Sequence, residues 1–534
     1  MISLEQGIIF WGKEKVGRVK TMINKWWLRL TASAVIAALI ILLFAAPFGG
    51  RSGTRYESTE DFTGHLEHRI PALMESYEIP GVTVALIKEG KPAWSEAFGY
   101  ADVEAGRGMT VDTVCRVESI SKSVTAWGVM QLVEEERIDL DVPVREYLTS
   151  WSFPEQKSGA LDNAVEEITV RRLLSAHAGL PLGPIGIRWS PGDETLPTLE
   201  ERLTGSAVLF QEPGSSFYYS NVGYYVLELL IEEVSGRDFA EYMQNEVMEP
   251  LGMEESSFIW SKKFDPPVPK GYLADGEPVP VYVYPDKAAG GLFSPLEDIV
   301  SFVSAGMTEY TNSYRGVLKP ESIEAMYTPS VDTTGYYGMV FDSYGFGHFI
   351  ETLPTGEKAV SHGGQGTGWM TQFYSVPETG DGIVILSNSG RSWPFFSYVL
   401  SDWADWCGYG SVGFSLIVKV KIWLLILTGV LLALVLWRTW GIMQDLITRT
   451  RRFAPFSGSR MHVRIPAFVL FAVLTGGLLW VLGLPYFFLF SVVPIASVWL
   501  MYVLAASAFI LLLSALLPKE ENSPASRPDE SRNG

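Results

Sequence analysis

The run LTASAVIAALIILLFAAPF, Leu30 to Phe48, carries no charge and is long enough to cross a hydrocarbon core of about 30 Å. Part of this chain is therefore built for lipid. With its flank it predicts a first membrane helix over 28–48, and three further apolar stretches predict spans over 415–437, 465–484 and 493–517. A net charge of −19 and a pI near 4.9 beside a positive mean hydropathy of +0.16 fit that division, an acidic water-facing portion joined to apolar spans.

Lys13, Lys15, Arg18, Lys20, Lys25 and Arg29 precede the first span, so residues 1–27 read as a basic cytoplasmic N-terminus. The loop 438–464 sets Arg438, Arg449, Arg451, Arg452, Arg460 and Arg464 against a single acid, Asp445, and reads as cytoplasmic too. Residues 55–405 then lie outside and the polar tail 518–534 inside, as in a multi-pass protein of the plasma membrane. Lys419 and Lys421, at the outer end of the second span, run against the rule and call for snorkelling. A cleaved signal peptide ending near Ala45-Ala46 is the competing reading of the first span. The first, third and fourth spans hold no ionisable residue well inside them, which leaves transport without groups to use and makes the lipid bilayer an anchoring partner.

Cys115 and Cys407 are too few for a disulfide framework, although a single bridge stays open. Six histidines without H-E-x-x-H or a cysteine cluster give no case for a metal, and no cofactor motif appears. His65 and His68 share one face of a helix and read as exposed. The outer portion has no basic run, which argues against a nucleic-acid partner.

Within 55–405 the pattern is mixed. DFTGHLEHRIPALMESYEI has helical periodicity, and GVTVALIKEGKPAWSEAFGYAD alternates around Gly90 like a hairpin. SKSVTAWGVMQLVEEE, TVRRLLSAHAG, NVGYYVLELLIEEVSG and PLEDIVSFVSAGM read as helices, whereas GHFIET, KAVSHGG, MTQFYSVPE and DGIVILSNS read as strands. Early and late strands are expected to join in one antiparallel sheet flanked by helices, with a helical lobe between them: an α+β domain with a cleft where the two meet.

Three short motifs fall in that domain: Ser119-Ile120-Ser121-Lys122, Tyr219-Ser220-Asn221 and His362-Gly363-Gly364. Residues three apart on a helix share a face, so Ser119 and Lys122 bring a hydroxyl to an amine, as an activated serine requires. In order and spacing the three resemble the serine β-lactamase and penicillin-binding-protein superfamily, in its S-x-x-K, Y-x-N, H-x-G branch. LLSAHAGLP and IVILSNS resemble further segments of it, and the likeness runs over roughly residues 60–400.

The resemblance implies a β-lactamase/DD-peptidase-like fold in which Ser119 is the nucleophile at a helix N-terminus. Lys122 and Tyr219 manage its proton, and Asn221 bonds the substrate amide and the lysine. His362 and Gly364 line the substrate strand, and the backbone N–H groups of Ser119 and Gln365 form the oxyanion hole. Many relatives carry Lys where this chain has His362, which weakens the case for penicillin as the natural substrate. His177 is expected to support the fold, and Cys115 to be a small buried residue. The implied activity is hydrolysis of an amide or ester, such as a D-amino-acid peptide, an ester or a β-lactam, through a Ser119 acyl-enzyme. A carboxylesterase of the same fold and a slowly deacylating sensor or scaffold are the alternatives.

Overall fold

A computed structural model describes residues 56, 58–156, 161, 163–307, 317–331, 333–455, 461–483, 490 and 492–519. It divides into two units, one spanning residues 54–418 and one holding the C-terminal helices from residue 419 onward.

The first unit opens with helix α1 (Thr59–Tyr77), capped by the Ser58 hydroxyl, which accepts from the Asp61 N–H at 3.1 Å. β1 (Gly81–Lys88) and β2 (Lys91–Asp102) form the expected hairpin, and Glu89 and Gly90 at its tip have φ of 51° and 69°. Two successive positive φ values match the right-handed twist of the flanking strands. The chain continues through β3 (Arg107–Gly108), α2 (Ile120–Glu134), α3 (Val222–Ser235) and α4 (Leu296–Ala305). It then makes the strands β4 (Ser343–Tyr344), β5 (Phe349–Thr352), β6 (Lys358–Gly366), β7 (Trp369–Val376) and β8 (Asp381–Ser387).

These strands join in one antiparallel sheet of order β3-β2-β1-β8-β7-β6-β5-β4. The early hairpin closes onto the last strand, with Val82 opposite Ser387 and Ile87 opposite Gly382. Both faces are covered, so β7 and β8 are buried along their whole length, polar Thr371, Gln372 and Ser375 of β7 included. On one face Phe373, Val384 and Leu386 meet the core shared with α2 and α4. There Trp127 of α2 packs edge-on to Phe302 of α4 at 5.6 Å, and Phe302 in turn meets Phe373 of β7 at 6.1 Å. Trp127→Ala should lower unfolding stability by roughly 3–5 kcal/mol, checked by denaturant titration, because the ring is fully buried at the junction of three elements.

The other face is covered by α1 and by α5 (Trp393–Cys407), a helix absent from the expectations above. Its aromatic density hides its period: Trp403 packs on Tyr374, and Trp406 stacks on Phe62 at 4.5 Å. Asp402 of α5 accepts from Arg69 Nε at 3.1 Å and lies 3.2 Å from His65 Nε2. His65 is thus half-buried against α5, which corrects its reading as exposed, while His68 does face solvent. Cys115 and Cys407 are both free thiols, which settles the open question of a bridge, and Cys115 is fully buried as expected.

Among the described residues of the second unit, three helices are long and apolar enough to cross a membrane: α6 (Ser415–Ile447), α7 (Met461–Leu482) and α8 (Pro494–Leu516). α6 continues ten residues past the expected end at 437, taking in Arg438 and Asp445. At 1.5 Å per residue its length is about 50 Å, more than the apolar core requires. Asp445, the lone acid of the arginine loop, pairs with Arg451 at 3.0 Å and with Lys519 at 2.8 Å. The expected first span at 28–48 lies outside the described residues.

Candidate active site

Helix α2 starts at Ile120, so Ser119 stands at its N-terminus, and its hydroxyl makes no capping bond. One turn on, Lys122 Nζ donates to Ser119 Oγ at 3.1 Å and to the Ala289 carbonyl at 2.7 Å. Lys122 is completely buried, and that desolvation pulls its amine down to about 7, with the carboxylates of Glu118 and Asp286 working against the shift. A large part of the amine is then neutral at pH 7, which suits it to take a proton from the serine.

Tyr219 sits with its ring centroid 5.0 Å from Lys122 Nζ and 6.0 Å from the His362 ring. Burial, and then Tyr344, push its phenol well above the ordinary value, while a hydrogen bond with Ser119 works the other way. Lys122 Nζ lies over the face of the Tyr219 ring. These electrostatics keep Tyr219 protonated and leave Lys122 as the group able to accept a proton near neutrality.

Ser220, between Tyr219 and Asn221, holds the motif in place: its hydroxyl donates to the Pro181 carbonyl at 2.7 Å and accepts from the Gly223 N–H at 3.0 Å, capping α3. Asn221 is half-buried, and its N–H donates to the Leu182 carbonyl at 3.1 Å. His177 contributes through its backbone, donating to Arg172 and accepting from Gly214, both at 2.8 Å.

The third wall is β6. It pairs with β5 from Lys358 to Ser361 and with β7 from Val360 to Gly366. His362 is buried, and its Nδ1 donates to the Gly363 carbonyl at 2.8 Å, which leaves Nε2 as an acceptor 3.4 Å from the Tyr344 hydroxyl. Desolvation first, and then the Lys122 charge, hold its pKa well below the ordinary value. The imidazole is neutral at pH 7. A Cβ on Gly364 would lie 2.2 Å from the Val117 carbonyl oxygen and 2.9 Å from Glu118 Cβ, so only glycine lets this strand touch the turn that carries Ser119. Gln365 follows, exposed, its Oε1 accepting from Trp393 Nε1 at 3.1 Å.

A fourth wall escaped the motif reading. Residues 282–292 run along α2 and supply the Ala289 carbonyl to Lys122, the Ala288 carbonyl to Thr125 and the Leu292 N–H to Ser121. Two ion pairs with buried carboxylates anchor this segment, Arg202–Asp286 at 2.9 Å and Lys287–Glu228 at 3.4 Å, beside the fully buried pair Arg116–Glu118 at 2.8 Å, whose arginine also bonds the Tyr282 and Gly290 carbonyls. The signal available was VYVYP, where alternate positions put Tyr282 and Tyr284 on one face, beside an acid immediately before Ser119.

Ser119, Lys122, Tyr219 and His362 thus converge between the sheet and the helical lobe. The chain is 25% identical over 350 residues to penicillin-binding protein 4* of Bacillus subtilis, covering 61% of this chain and 71% of that one. It is also 25% identical over 376 residues to the human mitochondrial serine beta-lactamase-like protein LACTB, covering 53% of this chain and 65% of the relative. Among solved structures, the octameric penicillin-binding protein homologue from Pyrococcus abyssi superposes with a TM-score of 0.56 at 29% identity, covering 67% of this chain and 81% of that one. The Beta-lactamase family model matches residues 66–398, well over half of the sequence. With that match, and with the fold and the order of its motifs, this chain belongs to the beta-lactamase family.

Proposed function

We propose that this protein is a membrane-tethered serine hydrolase that cleaves an amide or ester through a Ser119 acyl-enzyme. The carrying observation is the 3.1 Å contact between Ser119 Oγ and a buried Lys122 amine lowered to about 7. Neutral Lys122 takes the hydroxyl proton as Ser119 Oγ bonds to the substrate carbonyl carbon. The oxyanion is received by the Ser119 and Gln365 N–H groups. As the carbonyl re-forms, the leaving group departs with a proton relayed from Lys122 through Tyr219, and a water activated by the same pair then releases the acyl group.

Penicillin-binding relatives put D-amino-acid peptides and β-lactams in scope. The neutral His362 favours the carboxylesterase reading within the same chemistry, because it offers no cation to a substrate carboxylate. Three membrane-length helices and the cationic loop support a multi-pass plasma-membrane protein with the catalytic unit on the extracytoplasmic side.

Incubating the full chain in detergent with a fluorophosphonate tests the nucleophile. Intact-mass spectrometry should show one adduct on wild type, mapping to Ser119, and none on a folded Ser119→Ala variant. Equal labelling of both proteins, or of neither, would remove the acyl-enzyme reading and leave a scaffold.

A further inference from the structure

Glu118, the residue before the nucleophile, has φ of 51°, a left-handed conformation that a non-glycine residue keeps only when its surroundings hold it there. Its carboxylate is buried and fully engaged. Oε1 accepts from Arg116 Nε at 2.8 Å and from the Tyr282 hydroxyl at 2.9 Å, and Oε2 accepts from the Tyr284 hydroxyl at 3.2 Å.

The Tyr282 hydroxyl has a second partner. It accepts from the Thr367 N–H at 2.9 Å, just past the end of β6. The direction of this chain is forced, because a carboxylate only accepts: the Tyr282 proton must point to Glu118, which leaves its lone pairs for Thr367. The Arg116 guanidinium bonded to Glu118 also holds the Tyr282 carbonyl at 2.6 Å, so the tyrosine is fixed at its backbone and at its hydroxyl by one ion pair. A Cβ on Gly366 would lie 2.3 Å from Glu118 Oε1, so the strand end is pressed against the same carboxylate.

We propose that Glu118 is a positioning residue for acyl transfer: through the Tyr282 hydroxyl it ties the turn carrying Ser119 to the end of the strand carrying Gln365, and so sets the spacing of the two oxyanion donors. Ser119 N follows Glu118 directly, and Gln365 lies two residues before Thr367. β5 pairs with β6 only as far as Ser361, and the Glu118–Tyr282–Thr367 link ties down the end of the strand beyond that point. This inference rests on the acyl-transfer reading above.

Tyr282→Phe breaks the tie while keeping the ring, Arg116 and Glu118. Tyr284→Phe removes a hydroxyl from the same carboxylate without touching β6. Both are compared with wild type as full chains in detergent, through fluorophosphonate labelling at Ser119, hydrolysis of p-nitrophenyl butyrate, inhibition by phenylboronic acid and thermal midpoint. Displacing a donor should cost somewhat less than deleting one, so kcat of Tyr282→Phe should fall about 10- to 100-fold with KM within about threefold of wild type. The tetrahedral boronate uses the same two donors, and its inhibition constant should weaken in parallel while the thermal midpoint holds. Tyr284→Phe should lose clearly less on every measure.

A Tyr282→Phe enzyme with wild-type kcat would overturn the proposal. So would equal losses in the two variants, or a kcat loss without a matching loss of boronate affinity. Wild type that neither labels nor turns over would instead overturn the acyl-transfer reading, and the inference with it.

Discussion

Lys122→Met is expected to slow acylation of Ser119 by about a thousandfold while leaving the protein folded. Among the described residues in contact with Ser119 Oγ, it is the Lys122 amine whose environment prepares it to accept a proton near pH 7, since the Tyr219 phenol is shifted upward by its own burial. The wild-type labelling rate should therefore climb about tenfold per pH unit below roughly 7 and flatten above it, following the neutral amine. A rate that kept rising toward pH 10 would assign the base to a Tyr219 phenolate instead. Stability has its own signature. The folded-state amine, at about 7, lies below its ordinary 10.5, so between those values the unfolded chain binds the extra proton and this group makes stability rise with pH. Methionine removes that slope, and denaturant titrations of both proteins at pH 7 and pH 9 would show it.

The parts of this molecule that could be read from its sequence are those with a period or a fixed local spacing. GVTVALIK and IVILSNS announced strands because β-branched runs between turn residues have few other uses, and the two pair directly as β1 and β8. S-x-x-K was legible because one helical turn fixes the distance between its ends. α5 was missed because its first half, Pro394 to Leu400, is buried on every side and reads as a short apolar run without helical period. The 282–292 wall was missed for a different reason: its contribution is made by backbone carbonyls, and it is anchored by Glu228, Arg202 and Arg116, which lie 59, 84 and 166 residues away in the chain from the groups they hold. His65 was misplaced because its partner, Asp402, belongs to the missed helix.

Gly364→Ala is expected to cost about 100- to 1,000-fold in kcat, comparable to losing an oxyanion donor, although it adds a single methyl group. The added carbon would lie 2.2 Å from the Val117 carbonyl oxygen and 2.3 Å from Thr371 Oγ1, the hydroxyl that itself donates to Val117 O at 2.8 Å. Backbone cannot rotate away as a side chain can, so the strand must retreat from the turn, and Gln365 N moves with it. Gly363 next door supplies the contrast. A Cβ there would meet Gln372 Oε1 at 2.3 Å and the edge of the Trp393 ring at 3.0 Å, both far ends of side chains. Gly363→Ala should then lose less than about tenfold in kcat, the relief coming from side-chain rotation rather than strand movement. Measuring kcat and thermal midpoint for the pair separates the effects: comparable drops in midpoint with unequal kcat would tie the Gly364 loss to donor placement, whereas equal losses in kcat would mean that the Val117 contact does not set the site.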